Sequence, residues 1–207
     1  MKFSSDIIEH AVEAFKALPG IGEKTALRLV LHLLNKEANV IEQFTESIGK
    51  LATDIRFCKK CNNIATGDLC NICSDNYRNQ EQVCVVENLR ELIAIENTGQ
   101  YRGTYHILGG VISPVDGIGP EKLNIDSLIS RARDIGVKEI IMALNPTMEG
   151  DTTIFYISKL LKKLPIKLTT LARGVAFGGE LEYVDDLTLA RSLAARLPYD
   201  NYLSNQK

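Results

Sequence analysis

Between residues 6 and 57 apolar side chains recur every three or four positions; beyond residue 81 they come in short unbroken runs. The first pattern predicts three helices. In DIIEHAVEAFKAL (6–18), Ile7, Ile8, Ala11, Val12, Phe15 and Leu18 fall on one helical face. Pro19-Gly20-Ile21-Gly22 stops that helix, and a second over 23–35 turns Ala26, Leu27, Val30, Leu31 and Leu34 inward. A third covers 40–57. The second pattern predicts buried strands in QVCVVE (82–87), at 105–109, in EIIMAL (139–144) and at 166–171. Helices are expected between and after them, at 88–95, 125–135, 152–164 and 186–197. Strands alternating with helices argue a parallel α/β sheet. The fold class is therefore multidomain, α followed by α/β.

Between the two regimes lie Cys58, Cys61, Cys70 and Cys73, spaced C-x2-C-x8-C-x2-C. Two such turns present four sulfurs to one tetrahedral ion, and Zn²⁺ is the metal that this donor set suits. The connecting NNIATGDL is short and polar, as a hairpin tip or knuckle would be. Two disulfides, or thiols that only pack, are the alternatives; no part of the chain points to an oxidising compartment. Cys84 sits in the apolar run VCVVE and reads as a buried strand residue.

Composition narrows function little. Of 207 residues 45% are hydrophobic and 24% charged, enough to bury a core, and the net charge is −2. Charge alone does not point to nucleic acid, so DNA binding must come from local geometry or from several copies of a weak site. The N-terminus has no apolar signal-peptide core and no stretch approaches a membrane span, so a cytoplasmic protein with no membrane partner is expected.

Leu18-Pro19-Gly20-Ile21-Gly22-x-Lys24-x-Ala26 matches the helix-hairpin-helix pattern. Gly20 and Gly22 allow backbone conformations closed to other residues, so N–H groups at the start of the next helix can point at one phosphate. Lys24 and Arg28, one turn apart, share a face and can reach adjacent phosphates without reading sequence. The plainer reading is an αα-hairpin turn with a solvated basic face.

Glu87 ends the first buried strand of the α/β region, and Glu149-Gly150-Asp151 follows EIIMAL. Carboxylates at the C-terminal ends of parallel strands meet at the site edge of such sheets. A lone Glu with an acidic-x-acidic pair resembles the Toprim arrangement of topoisomerases and primases, where the carboxylates hold Mg²⁺. Glu149 departs from the usual aspartate, so Mg²⁺ is left open here. Solvated strand-end acids and a helix cap are the alternative.

The order of parts then resembles one family along essentially the whole chain, the RecR recombination mediators of bacteria. The resemblance rests on LPGIGEKTALRL (18–29), the cysteine quartet, GGVISPVDGIGP (109–120), NPTMEGDTT (145–153) and ARGVAFGGELEYVDDLTLARSL (172–193). It implies a helix-hairpin-helix DNA-binding domain (1–53), a four-cysteine zinc finger (54–80), a Toprim domain (81–174) and a Walker-B-like oligomerisation segment (175–207). It also implies a non-enzymatic role in recombinational repair. The chain would act with RecO and RecF to help load RecA at DNA gaps and breaks, as a dimer or a ring-like tetramer. Gly20, Gly22, Lys24 and Arg28 would meet DNA; Cys58, Cys61, Cys70 and Cys73 would hold one structural zinc. Glu87, Glu149 and Asp151 would lie at the partner surface or at a weak Mg²⁺ site. Asp185 and Asp186 would belong to the Walker-B-like segment, but no Walker A motif accompanies it, so nucleotide hydrolysis is not expected. Two rival classes remain: a Mg²⁺-dependent Toprim enzyme (nuclease or primase-like) and a zinc-stabilised interaction module.

Overall fold

The computed structural model describes residues 5–134, 136–176, 178–196 and 198. The chain divides into two compact units, residues 1–55 and 56–207.

The first unit holds α1 (Asp6–Lys16), α2 (Glu23–Leu34) and α3 (Ala38–Thr53). Val12, Ala26 and Val30 are its buried centre, with Ile8, Ala11, Phe15, Ile21 and Leu27 packed around them. Ile7, Leu18, Leu31 and Leu34 are exposed, contrary to the periodicity. The third helix buries no residue at all and leaves Val40, Phe44, Ile48 and Leu51 exposed along one stripe. A unit this small has little interior, so helical period identifies an apolar face without guaranteeing a cover for it. The third helix also ends earlier than its pattern suggests, because Arg56 and Phe57 leave it to pair with Ala65 and Ile64.

That pairing opens the second unit: β1 (Arg56–Phe57) and β2 (Ile64–Ala65) form a short antiparallel hairpin, followed by α4 (Asn71–Ser74). The sheet follows, with β3 (Asn79–Val86), α5 (Leu89–Asn97), β4 (Gly103–Ile107), α6 (Ile125–Ala132), β5 (Glu139–Met142), α7 (Met148–Leu161) and β6 (Lys167–Thr170). Its four strands are all parallel in the order β4-β3-β5-β6, as the alternating pattern predicts. The order reverses between β3 and β5, and such a switch point opens a crevice at the strands' carboxyl ends.

Alternation along β3 sends its side chains to two cores. Val83 and Val85 pack with Ile140, Met142, Leu128 and Ile157 under α6 and α7. Cys84 and Val86 pack with Tyr105, Ile107 and Leu92 under α5. Cys84 is thus the buried strand residue expected. The edge strand β4 starts two residues earlier than its pattern, and the chain leaves it through Gly109 and Gly110 at φ 86° and 155°.

The helix α7 starts at Met148, where its pattern suggested residue 152, because the Thr147 hydroxyl accepts from the Gly150 N–H and caps it. Residues 186–194 form α8, capped by Asp185, whose carboxylate accepts from the Thr188 N–H at 2.9 Å. Ile135 and Leu197, the expected last residues of two helices, lie outside the described residues. Among the described residues no helix is long and apolar enough to cross a membrane.

Candidate functional sites

The hairpin β1–β2 and the short α4 bring the four cysteines together. The Cys58 N–H donates to the Asn63 carbonyl and the Asn62 N–H to the Cys58 carbonyl, at 2.7 and 2.9 Å, and Asn62 turns the knuckle at φ 60°. Cys70 precedes α4 and Cys73 lies within it. All four thiols are buried, with their sulfurs within 4.8 Å of one another and Cys61 to Cys70 at 3.6 Å. A tetrahedral Zn–S₄ centre with bonds of about 2.3 Å needs sulfurs about 3.8 Å apart, so the donor set fits that ion. Four protein ligands leave no open position, which makes the site structural. The bond from Cys61 holds Cys70 well below the usual thiol range and pushes Cys61 up. Metal entry must expel the remaining thiol protons.

Of the two glycines in the turn, Gly20 takes a backbone conformation closed to other residues and Gly22 does not. Gly20 sits at φ 80°, in the left-handed region, and Gly22 is the extended residue before α2, with no side chain to cap it. Lys24 and Arg28 are exposed on α2 and make no ion pair among the described residues.

The three acids do not converge. Glu87 and Glu149 line one cleft of about 470 Å³, together with Gly109, Ser113, Asp116 and Asn145. Asn145 Nδ2 donates to Glu87 Oε2 at 3.1 Å. Asp151 lies elsewhere, beside Phe155 and Arg191, and Arg173 donates to both of its oxygens. That guanidinium holds the Asp151 carboxyl below its ordinary range. The division follows from α7: residues two apart on a helix point about 200° from each other. Glu149 and Asp151 therefore serve different faces once the helix begins at Met148. Gly150 between them is fixed by packing, since a Cβ there would strike the Asn145 carbonyl oxygen.

Two partners of these acids, Asn145 and Arg173, and one neighbour in the cleft, Asp116, were not singled out by spacing. Asp116 comes from GGVISPVDGIGP, where it accepts from the Ser113 hydroxyl at 2.6 Å. Asn145 and Arg173 sit just after β5 and β6, the strand ends where site residues gather, so sheet topology was the signal that could have found them. Asp185 serves as a helix cap, and the Thr188 N–H keeps its carboxyl below the usual range. Among the described residues the cysteine quartet is the one group of three or more His, Cys, Asp or Glu whose ligand atoms are close enough to share a metal.

The geometry agrees with what the chain is similar to. Residues 8–51 match the helix-hairpin-helix model of RecR, 55–75 its four-cysteine zinc finger domain, 81–172 the Toprim domain and 174–196 the RecR C-terminal model. The zinc-finger match, on a buried four-sulfur cluster of tetrahedral dimensions, makes zinc the metal of this centre. Recombination protein RecR of Cytophaga hutchinsonii is 54% identical over 201 residues, 97% of this chain and 98% of the relative. The protein of that name from Amoebophilus asiaticus is 53% identical over 96% of this chain and all of its own length (100%). That from Bacteroides fragilis is 52% identical over 96% and 97%. With identity this high along nearly its full length, and with all its parts matched in order, the chain belongs to the RecR family of recombination proteins.

Proposed function

We propose that the protein is a non-enzymatic mediator of recombinational repair, a DNA-binding clamp and adaptor that works in the cytoplasm on nucleoid DNA. The backbone of Gly20 and Gly22 and the side chains of Lys24 and Arg28 grip phosphate, without sequence preference, on single-stranded, duplex or gapped DNA. RecO and RecF are its protein partners and RecA loading is the outcome. Its functional domains run 1–53, 54–80, 81–174 and 175–207. Copies of the chain assemble into a dimer or a tetrameric ring. The stripe of Val40, Phe44, Ile48 and Leu51 on α3 supports self-association, because an amphipathic helix with no cover favours a partner surface. Assembly multiplies a weak phosphate grip by effective concentration, about 10²–10⁴-fold, which reconciles DNA binding with a net charge of −2.

The observation that carries the non-enzymatic reading is the Arg173–Asp151 pair. A Toprim carboxylate engaged by a guanidinium is a poor Mg²⁺ ligand, and Glu87 and Glu149 open on a different cleft. In this reading Glu87 and Glu149 on one face, and Asp151 on another, belong to surfaces for a protein partner. The test is a Mg²⁺-dependent nicking and primer-synthesis assay with wild type and Glu87→Gln. Neither protein should show activity; activity that Glu87→Gln abolishes would establish the enzyme reading instead.

A further inference from the structure

Arg131 on α6 is buried, with 6% of its surface exposed, yet no carboxylate among the described residues pairs with it. Its Nη1 donates to the Tyr105 carbonyl and its Nη2 to the Thr104 hydroxyl, both at 2.6 Å, while Nε is left without a partner. These neutral acceptors on β4 fix the guanidinium in place but do not balance its charge. An isolated buried cation costs several kcal/mol, so an anion is required nearby.

Among the described residues no carboxylate supplies it, but the four cysteines carry net negative charge once they hold Zn²⁺ as thiolates. Burial pushes the Arg131 pKa down, so the guanidinium needs a compensating charge to stay ionised in place. Burial pushes the Tyr101 phenol up, so it is neutral at pH 7. Burial also pushes His106, on the same strand, down to about 4, so it is neutral as well. Geometry puts the metal module against the same elements. The Ile107 N–H at the end of β4 donates to the Cys61 carbonyl at 2.9 Å. Asn62 Nδ2 donates at 3.2 Å to the hydroxyl of Ser127, one turn before Arg131 on α6. Ile72, between Cys70 and Cys73, packs into both the cysteine cluster and the core beside β4.

We propose that Arg131 is the outer charge partner of the zinc centre: its buried guanidinium offsets the negative charge of the four-thiolate complex and couples metal occupancy to the packing of α6 and β4. Four thiolates around Zn²⁺ leave two negative charges, which metal-free thiols that keep their protons do not supply in full. Zinc therefore stabilises the buried Arg131, and by linkage Arg131 stabilises bound zinc to the same extent. Groups outside the ligand set commonly set metal affinity by 10–100-fold.

The test is zinc affinity, measured by competition with a chromogenic chelator, for wild type, Arg131→Met and Arg131→Lys. Arg131→Met keeps the bulk and removes the charge, and should weaken zinc binding about tenfold or more. Arg131→Lys keeps the charge but loses the two-pronged fit to Thr104 and Tyr105, and should recover most of that loss. A folded Arg131→Met protein with wild-type affinity would overturn the proposal, as would an Arg131→Lys protein as weak as Arg131→Met, since the role would then be hydrogen bonding alone. If Arg131→Met does not fold, hydrogen exchange of the wild type with and without chelator decides. Zinc removal should strip protection from residues 125–132 while β6 keeps its own; unchanged protection at 125–132 would reject the coupling.

Discussion

Arg173 spans the two oxygens of Asp151, with Nη1 at 3.1 Å from Oδ2 and Nη2 bonded to Oδ1. The pair ties the segment leaving β6 to the first turn of α7, and it removes the second acid of Glu149-Gly150-Asp151 from any shared site with the first.

Both partners are partly solvated, with a third of the Arg173 side chain and nearly half of the Asp151 side chain exposed. Solvent screening limits the worth of such a pair, so Arg173→Gln should cost no more than about 1 kcal/mol in a urea melt. A loss of several kcal/mol would mean that the pair anchors more than a surface segment.

Gly150→Ala should cost more than that exchange. The added Cβ meets backbone, the Asn145 carbonyl, and cannot be accommodated by a rotating side chain. Overpacking of this kind costs about 1–3 kcal/mol, read as a lower denaturation midpoint at an unchanged m-value. A neutral substitution would show that the start of α7 can slide.

How far these features were legible in the sequence depended on whether their physics is local. The cysteine quartet was readable because two tight turns and four sulfurs leave little freedom, and the run VCVVE announced a strand buried on both faces. Val12, Ala26 and Val30 were readable as one helical seam. Ile7, Leu31, Leu34 and the stripe on α3 share that period and are exposed, because period says which side of a helix is apolar and not whether anything covers it. The divergence of Glu149 from Asp151 turned on one cap: once Thr147 starts the helix, two residues of spacing become opposite faces. Arg173 reaches Asp151 from the far side of a strand and a helix, so no spacing in the chain could announce it, and none announces that Arg131 would be buried against β4.

The ion pair of Glu96 with Arg78 should make stability depend on pH. Arg78 donates to both Glu96 oxygens at 2.8 and 2.6 Å, and the Tyr105 hydroxyl adds a bond at 2.7 Å. Chiefly through Arg78, the Glu96 pKa in the folded state is lowered. A depressed carboxylate contributes stability that is present above its unfolded pKa, about 4.3, and is lost as pH falls through the folded value. Glu96→Gln should therefore cost about 1.5–3 kcal/mol at pH 7 and less at pH 3, by denaturation at both. An equal cost at both pH values would exclude the charge as the cause.

Cys58→Ser should remove stoichiometric zinc and lower Tm sharply, since structural zinc supplies about 10–16 kcal/mol in small cysteine modules. Metal analysis alongside a thermal melt reads both effects. A metal-free Cys58→Ser protein that melts with the wild type would show the centre to be dispensable for folding.

The central claim is a phosphate grip at the glycine turn, and the salt dependence of DNA binding tests it most directly. Affinity for gapped DNA would be measured from low to moderate salt for wild type and for Lys24→Ala/Arg28→Ala. Each phosphate contact contributes about 0.9 to the slope of log affinity against log salt on duplex, so removing two per subunit should weaken binding and flatten the slope by about 2 for each subunit engaged. An unchanged slope in the double variant would take Lys24 and Arg28 out of the interface and contradict the account.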